Sequence, residues 1–512
     1  MHIGGFLAQN ARNFPERFAV DCEGRTYTYG ELNRAVNRLA NGLISLGVKK
    51  GEKVALFMKN SDYFMISFFA IAKIGAVVVP VNYRLTPDEV QYIFTQSDAV
   101  LVLCDSEFED TVYKARNGTD VQAIIFGNTA GQGNLLYNNI LSHNENEPEI
   151  EIFDQDNLEI LYTSGTTGRP KGALFDHNKI FKVSLTMLVN MELKKDERFL
   201  HLAPLFHSAQ LNLFMIAGVI LGGRHYIHRD FHPVKALQAI QEHKITHLFA
   251  VPAMYNFMLQ VPNITEYDLS SIRRCGYGAA PMPPELVRKS ITAFKTDQFY
   301  NLCGLTEAGP GGIFLDPEGH ELHLGKSGKA GFLTEARVVY ENGEDVSPGT
   351  VGEFILRGET IMKEYYKKPE ETKAALKNGW LYTGDLATMD EEGYITLVDR
   401  KKDMIISGGE NVYSAEVEVI LYEHPAILDA AIIGLPDEVW GEAVTAVVVL
   451  KEGALLDVQE LIIFCRQKLA GYKVPRRIFI EKQLPRNASG KILKYQLRQK
   501  MNALTNEEHS VK

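Results

Sequence analysis

Apolar and polar positions along the first 150 residues fall into blocks of two alternating periods. Residues 28–46 carry apolar side chains at helical spacing, and Gly47 supplies a stop, so the spacing predicts a helix there. Residues 54–57 read as a buried strand. The longest apolar run is 63–81, but Lys73 interrupts it and Gly75 and Pro80 break it. A lysine at the middle of a membrane span is expensive, so the run predicts a buried helix over 62–73 that turns at Gly75 into a buried strand over 76–80. Residues 100–104 and 123–126 are further strands of buried type. Later strands are predicted at 158–162, 199–203, 246–251, 272–277, 353–357, 430–434 and 443–450, with helices at 415–421 and 458–469. Strands alternating with helices point to an α/β (α+β) fold with largely parallel sheets.

At 512 residues the chain exceeds what one core organises. The reading divides it into a large N-terminal domain over 1–399, built of sheets flanked by helices, and a small C-terminal α+β domain over 403–512. A net charge of −10 argues against general nucleic-acid binding. Five cysteines, odd in number and without metal spacing, suit free thiols in a reducing cytoplasm. The N-terminus lacks the charged start and apolar core of a secretory signal. No transmembrane segment is expected; a peripheral membrane contact and a homodimer stay open.

The chemistry concentrates in LYTSGTTGRPKGA, residues 161–173. An apolar run leads into a loop holding Thr163, Ser164, Gly165, Thr166, Thr167, Gly168 and Lys171. Glycines let backbone N–H groups approach an anion, hydroxyls add donors, and lysine adds a compact positive charge suited to polyphosphate. The spacing is not that of a Walker loop, because Arg169 and Pro170 separate Gly168 from Lys171 and Gly172 stands where Ser or Thr is required. The bland alternative is a polar turn between two strands.

YTSGTTGRPKG resembles the phosphate-loop signature of the adenylate-forming superfamily, which includes acyl-CoA synthetases, aryl-CoA ligases, peptide-synthetase adenylation domains and firefly luciferase. Further signatures of that family follow in its order. GYGAAPMPPEL carries Gly278 and Ala279, in a turn that the resemblance places against the acyl carbonyl and the adenine. YNLCGLTEAG carries Cys303, Gly304, Leu305, Thr306 and Glu307, with Glu307 the implied Mg²⁺ ligand and Thr166 a second metal contact. Many members have an aromatic residue in place of Cys303, stacked on adenine, and Cys303 cannot stack in that way. GTVGEFILRGETIMKEYY comes next, then YTGD with Asp385 for the ribose hydroxyls, then LVDRKKDMIISGGENVY with Arg400 as second ribose or phosphate partner. PRNASGKILK, residues 485–494, closes the series, with Lys491 after Gly490 in the place of the adenylation lysine. The implied catalytic set is Lys491, Glu307, Lys171 and Thr166.

His207 lies just before the apolar segment 211–221, which carries no Arg or Lys. The resemblance makes His207 a gate of the acyl pocket and puts Gly278 beside the acyl group. It also gives Gly408, Gly409 and Glu410 to coenzyme A, and a hinge at 400–402 with its pivot at Lys402, about which the small domain moves. The closest resemblance is to medium- and long-chain fatty acyl-CoA synthetases. The implied activity is ATP- and Mg²⁺-dependent joining of a small-molecule carboxylic acid to coenzyme A, through an acyl-adenylate. An aryl-CoA or o-succinylbenzoate-CoA ligase is the alternative, and an ATP-binding scaffold without turnover a second one.

Overall fold

A computed structural model describes residues 2–127, 134–163, 169–486 and 491–510, without the side chains of 505–510. It shows a mixed α/β protein of the expected class, with a large N-terminal part and a smaller α+β part toward the C-terminus. Two compact units are distinguished. The first takes the chain up to Thr163, then Lys171–Ala336 and Leu356–Leu381; the second takes Arg337–Ile355 and the chain from Tyr382. This division differs from the one at 400–402 read from the sequence.

The first unit contains two large sheets. In the nine-stranded sheet, Arg224–Ile227, Arg198–His201, His247–Ala250, Arg274–Gly278 and Phe299–Gly304 run parallel. In the eight-stranded sheet, Lys53–Phe57, Val77–Pro80, Ala99–Asp105 and Gln122–Phe126 run parallel. Asn157–Tyr162 and Gly172–Asp176 then pair antiparallel. The parallel strands of the eight-stranded sheet are mostly apolar, as strands buried on both faces are, whereas those of the nine-stranded sheet also bury His201, His225 and His247. Helix Tyr29–Ser45 starts at Thr28, whose hydroxyl accepts from Glu31 N while Glu31 caps the Thr28 amide in return. Helix Asp62–Lys73 is buried nearly all round and turns at Gly75 into Val77–Pro80, as the pattern predicts. No helix among the described residues is long and apolar enough to cross a membrane.

Two elements end two or three residues earlier than expected. The strand predicted over 199–203 is Arg198–His201, because Leu202 and Ala203 lead out of the sheet toward Pro204; the helix predicted over 458–469 is Val458–Arg466. The apolar segment after His207 begins as a π-helix, Ala209–Ile216, before tightening into the α-helix Ala217–Leu221. Periodicity could not reveal this, since nearly every position is apolar and no face is marked. Two amides pin this π-helix to opposite sides. Gln210 Nε2 lies 2.6 Å from His201 Nδ1 in one sheet, and Asn212 Nδ2 donates to Glu159 Oε1 in the other at 2.7 Å.

The second unit holds a sheet ordered Glu410–Val412, Ile405–Ser407, Gly441–Leu450, Ile427–Asp437, with Arg477–Ile480 beside Gly441–Leu450. Its core joins Val444, Ala446 and Val448 to Val417 and Leu421 of helix Ser414–Tyr422.

Candidate active site

Strands Asn157–Tyr162 and Gly172–Asp176 form the stem of the glycine- and hydroxyl-rich loop. Thr163 N donates to Lys171 O at 2.9 Å, closing the stem at its end. A Cβ on Gly172 would meet Ile160 Cγ2 at 2.5 Å, so only glycine lets the two strands pack here. Ser164, Gly165, Thr166, Thr167 and Gly168 lie outside the described residues. Lys171 is described, and its ammonium sits 4.1 Å from the centroid of the Tyr365 ring.

A second group of predicted residues meets at the ends of two parallel strands. Gly278 pairs with Leu302, and a Cβ on Gly278 would come within 2.3 Å of Leu302 O. Ala279 follows with φ of +66°, a left-handed conformation that costs an alanine about 1 kcal/mol. Cys303 is half-buried and forms no disulfide. A Cβ on Gly304 would overlap Pro310 O at 1.9 Å, which holds the strand against the returning chain. After Leu305 the chain makes a 3₁₀ turn, Thr306–Ala308, and presents Glu307. Glu307 Oε1 accepts the Tyr365 phenol hydrogen at 2.6 Å, and Glu307 O accepts from Met362 N at 2.8 Å. Tyr365 thus touches both Lys171 and Glu307. Reading the sequence residue by residue misses it, because it stands in a signature whose other members are backbone and strand residues.

His207 is half-buried, and burial pushes its imidazole below the ordinary histidine range. Behind it, Leu211, Leu213, Phe214, Met215 and Ile216 are all buried, with Phe214 stacked on Phe249 at 4.8 Å between centroids. For these five residues the role is core packing.

The remaining predicted residues lie in the second unit. Strand Trp380–Met389 pairs antiparallel with Ile395–Arg400, and the register sets Asp385 opposite Arg400. Their side chains form an ion pair of 2.6 Å. Lys491 has an exposed residue surface, yet burial at its ammonium end and the Arg400 guanidinium push it down to about 8, with Asp385 and Asp403 opposing. Lys402 is exposed along the chain and is likewise pushed below the ordinary lysine range, first by burial. Gly408 and Gly409 have φ of +61° and +84° between the paired residues Ser407 and Glu410. Two consecutive positive φ angles make the tight hairpin turn that glycine serves best. Trp440 packs against Gly408, and the Arg476 guanidinium lies 3.6 Å from a Trp440 ring centroid.

Among the described residues no three His, Cys, Asp or Glu side chains gather into a protein-only metal cage. A single carboxylate with one oxygen held by a phenol fits Mg²⁺, which takes one or two carboxylates and completes its shell with water and phosphate.

The sequence pattern of the AMP-binding enzyme family matches residues 7–366, and that of its C-terminal domain matches residues 416–491. The chain belongs to the AMP-binding enzyme family. Its class there is that of the AMP-forming acid–CoA ligases, whose co-substrates are ATP with Mg²⁺ and coenzyme A. Among its relatives, a feruloyl-CoA synthase of Amycolatopsis sp is 38% identical over 97% of this chain and 99% of that protein. The long-chain-fatty-acid–CoA ligase FadD13 of Mycobacterium tuberculosis is 36% identical over 98% of this chain and 99% of that protein. Among solved structures, o-succinylbenzoate CoA synthetase (MenE) of Bacillus subtilis, in complex with its acyl-adenylate OSB-AMP, superposes with a TM-score of 0.88. It is 32% identical and covers 96% of this chain and 97% of that one.

Proposed function

We propose that this AMP-binding enzyme acts on a neutral, apolar carboxylic acid, with a medium- or long-chain fatty acid as the first choice. The carboxylate oxygen attacks the α-phosphorus of ATP, the bond to the bridging oxygen breaks, and pyrophosphate leaves. The thiol of coenzyme A then attacks the acyl carbon, loses its proton, and releases AMP. The first step demands charge stabilisation rather than a protein nucleophile.

In this reading Lys171 and the loop that contains Thr163, Ser164, Gly165, Thr166, Thr167 and Gly168 hold the phosphates. Gly278, Ala279, Cys303, Gly304, Leu305 and Thr306 frame the adenine. Asp385 and Arg400 take the ribose, and Lys491 meets the reacting phosphate in the first half-reaction only. Glu307 and Thr166 would hold Mg²⁺, which supplies charge neutralisation on the phosphates. Gly408, Gly409 and Glu410 serve coenzyme A, and Lys402 is the pivot.

The observation that carries the choice of acid is the chain around His207: residues 205–221 hold no Lys or Arg to pair with a second carboxylate, and an unpaired buried carboxylate is costly. An uncharged aryl acid is the second reading, favoured by the 38% identity to a feruloyl-CoA synthase. Pyrophosphate release across decanoate, palmitate, ferulate, o-succinylbenzoate and malonate tests both. Fastest turnover of a fatty acid supports the first reading, and fastest turnover of ferulate replaces it with the second. Efficient use of malonate or o-succinylbenzoate removes both.

A further inference from the structure

The chain from Met362 to Tyr366 straps two distant segments together. Lys363 N donates to Leu174 O and Tyr366 N to Gly172 O, each at 2.8 Å, which sets Tyr365 opposite Ala173 on the strand that follows Lys171. On the other side, Met362 N donates to Glu307 O at 2.8 Å. Tyr365 is therefore held from both sides, and only 4% of its surface is exposed. Its own N–H donates to Thr372 Oγ1 at 3.0 Å, anchoring the strap to the helix Pro369–Ala375.

From this position one side chain serves two opposite charges. The phenol donates to Glu307 Oε1 at 2.6 Å, and the ring face receives the Lys171 ammonium at 4.1 Å. No ion pair joins Lys171 to Glu307 among the described residues. A flexible lysine near a carboxylate would ordinarily swing onto it, and each group would then be spent on the other. A ring face attracts the cation without neutralising it, and a phenol fixes a carboxylate through one oxygen without adding charge.

We infer that Tyr365 is a positioning residue that keeps Lys171 and Glu307 apart and aimed, so that the phosphate-binding cation and the metal-binding carboxylate stay separately available. The inference rests on the roles proposed above for Lys171 and Glu307. Tyr365→Phe keeps the ring and removes the hydroxyl; Tyr365→Leu removes both.

The test is calorimetric titration of the full-length protein with ATP, in EDTA and at graded Mg²⁺, alongside pyrophosphate release with the best acid of the panel. Tyr365→Phe is expected to leave ATP affinity in EDTA unchanged and to raise the Mg²⁺ needed for half-maximal binding roughly 10-fold, the scale of one lost hydrogen bond to a charged group. Tyr365→Leu is expected to weaken ATP binding in EDTA as well, because Lys171 is released onto Glu307. Glu307→Gln and Lys171→Ala separate the two levels. If Glu307→Gln does not alter the Mg²⁺ requirement, the assignment of Glu307 is at fault. If Glu307→Gln alters it and Tyr365→Phe does not, the positioning role is overturned. Should Tyr365→Leu fail to fold, Tyr365→Phe alone decides.

Discussion

Asn212 joins Glu159 to the turn that carries Glu307: its Nδ2 donates to Glu159 Oε1 at 2.7 Å and to Gly309 O at 2.8 Å. Burial pushes the Glu159 carboxyl up to about 8, so it is mostly protonated at neutral pH. Its folded value lies above its unfolded one, so its contribution to stability is complete below about pH 4.5 and is lost as pH rises through about 8. Glu159→Gln does not titrate. Its stability relative to the parent should therefore rise between pH 5 and pH 8, by at most about 1.4 kcal/mol per pH unit, as read from denaturant unfolding. Asn212→Leu leaves two buried acceptors unpaired and should cost about 2–4 kcal/mol at any of these pH values. A gain for Glu159→Gln that is flat with pH would contradict the protonated carboxyl.

Three histidines of the nine-stranded sheet respond to pH in the opposite sense. Burial pushes His225 and His247 down to about 3, and burial, then the neighbouring His225 and His247, holds His201 well below the ordinary histidine range. Their folded values lie below the unfolded one, so their stability is complete above about pH 6.5 and is lost as pH falls toward 3. Three such groups outweigh the single Glu159 over the window they share, and thermal melts should drop steeply from pH 6.5 to pH 5. Among the described residues neither ring nitrogen of His247 has a hydrogen-bond partner. His247→Leu should thus flatten the acid limb in part, because His177 and His207 are lowered by burial as well. An unchanged slope would place the acid sensitivity elsewhere.

Lys491 must carry its charge to assist adenylation. With its ammonium pushed down to about 8, pyrophosphate release should decline as pH rises from 7.5 to 9. Lys491→Ala should lower adenylate formation roughly 100- to 1000-fold and spare transfer from supplied acyl-adenylate to coenzyme A. Equal loss in both half-reactions would remove this assignment.

Asp385→Ala is expected to weaken ATP binding and to leave acid preference as it was. The carboxylate it removes is paired with Arg400 at 2.6 Å, so affinity should fall by roughly 10-fold or more from a charge left unpaired. A changed substrate profile with normal ATP affinity would contradict the ribose role.

Lys402→Pro tests the pivot. Proline fixes φ near about −65°, which should freeze one arrangement of the chain around it. Adenylation is expected to survive better than thioester formation in single-turnover measurements. Normal rates for both would move the hinge elsewhere.

Much of this protein is determined by local sequence. Thr28 and Glu31 start a helix by themselves, Gly75 turns helix into strand, and the Thr-Gly-Lys loop announces phosphate chemistry, because capping, turning and anion binding depend on neighbours in the chain. The order of signatures from Tyr162 to Lys494 likewise sufficed for the family, without any coordinate. What lay beyond it depends on partners far apart in sequence. The π-turn at Ala209–Ile216 holds Gln210 and Asn212 against groups in two different sheets, and a largely apolar run gives no hint of that. Tyr365 acquires its meaning from Glu307, 58 positions away, and from a lysine brought in by strand pairing. Burial set the charges of Glu159, His247 and Lys491, since desolvation is a property of the folded interior and not of the residue type.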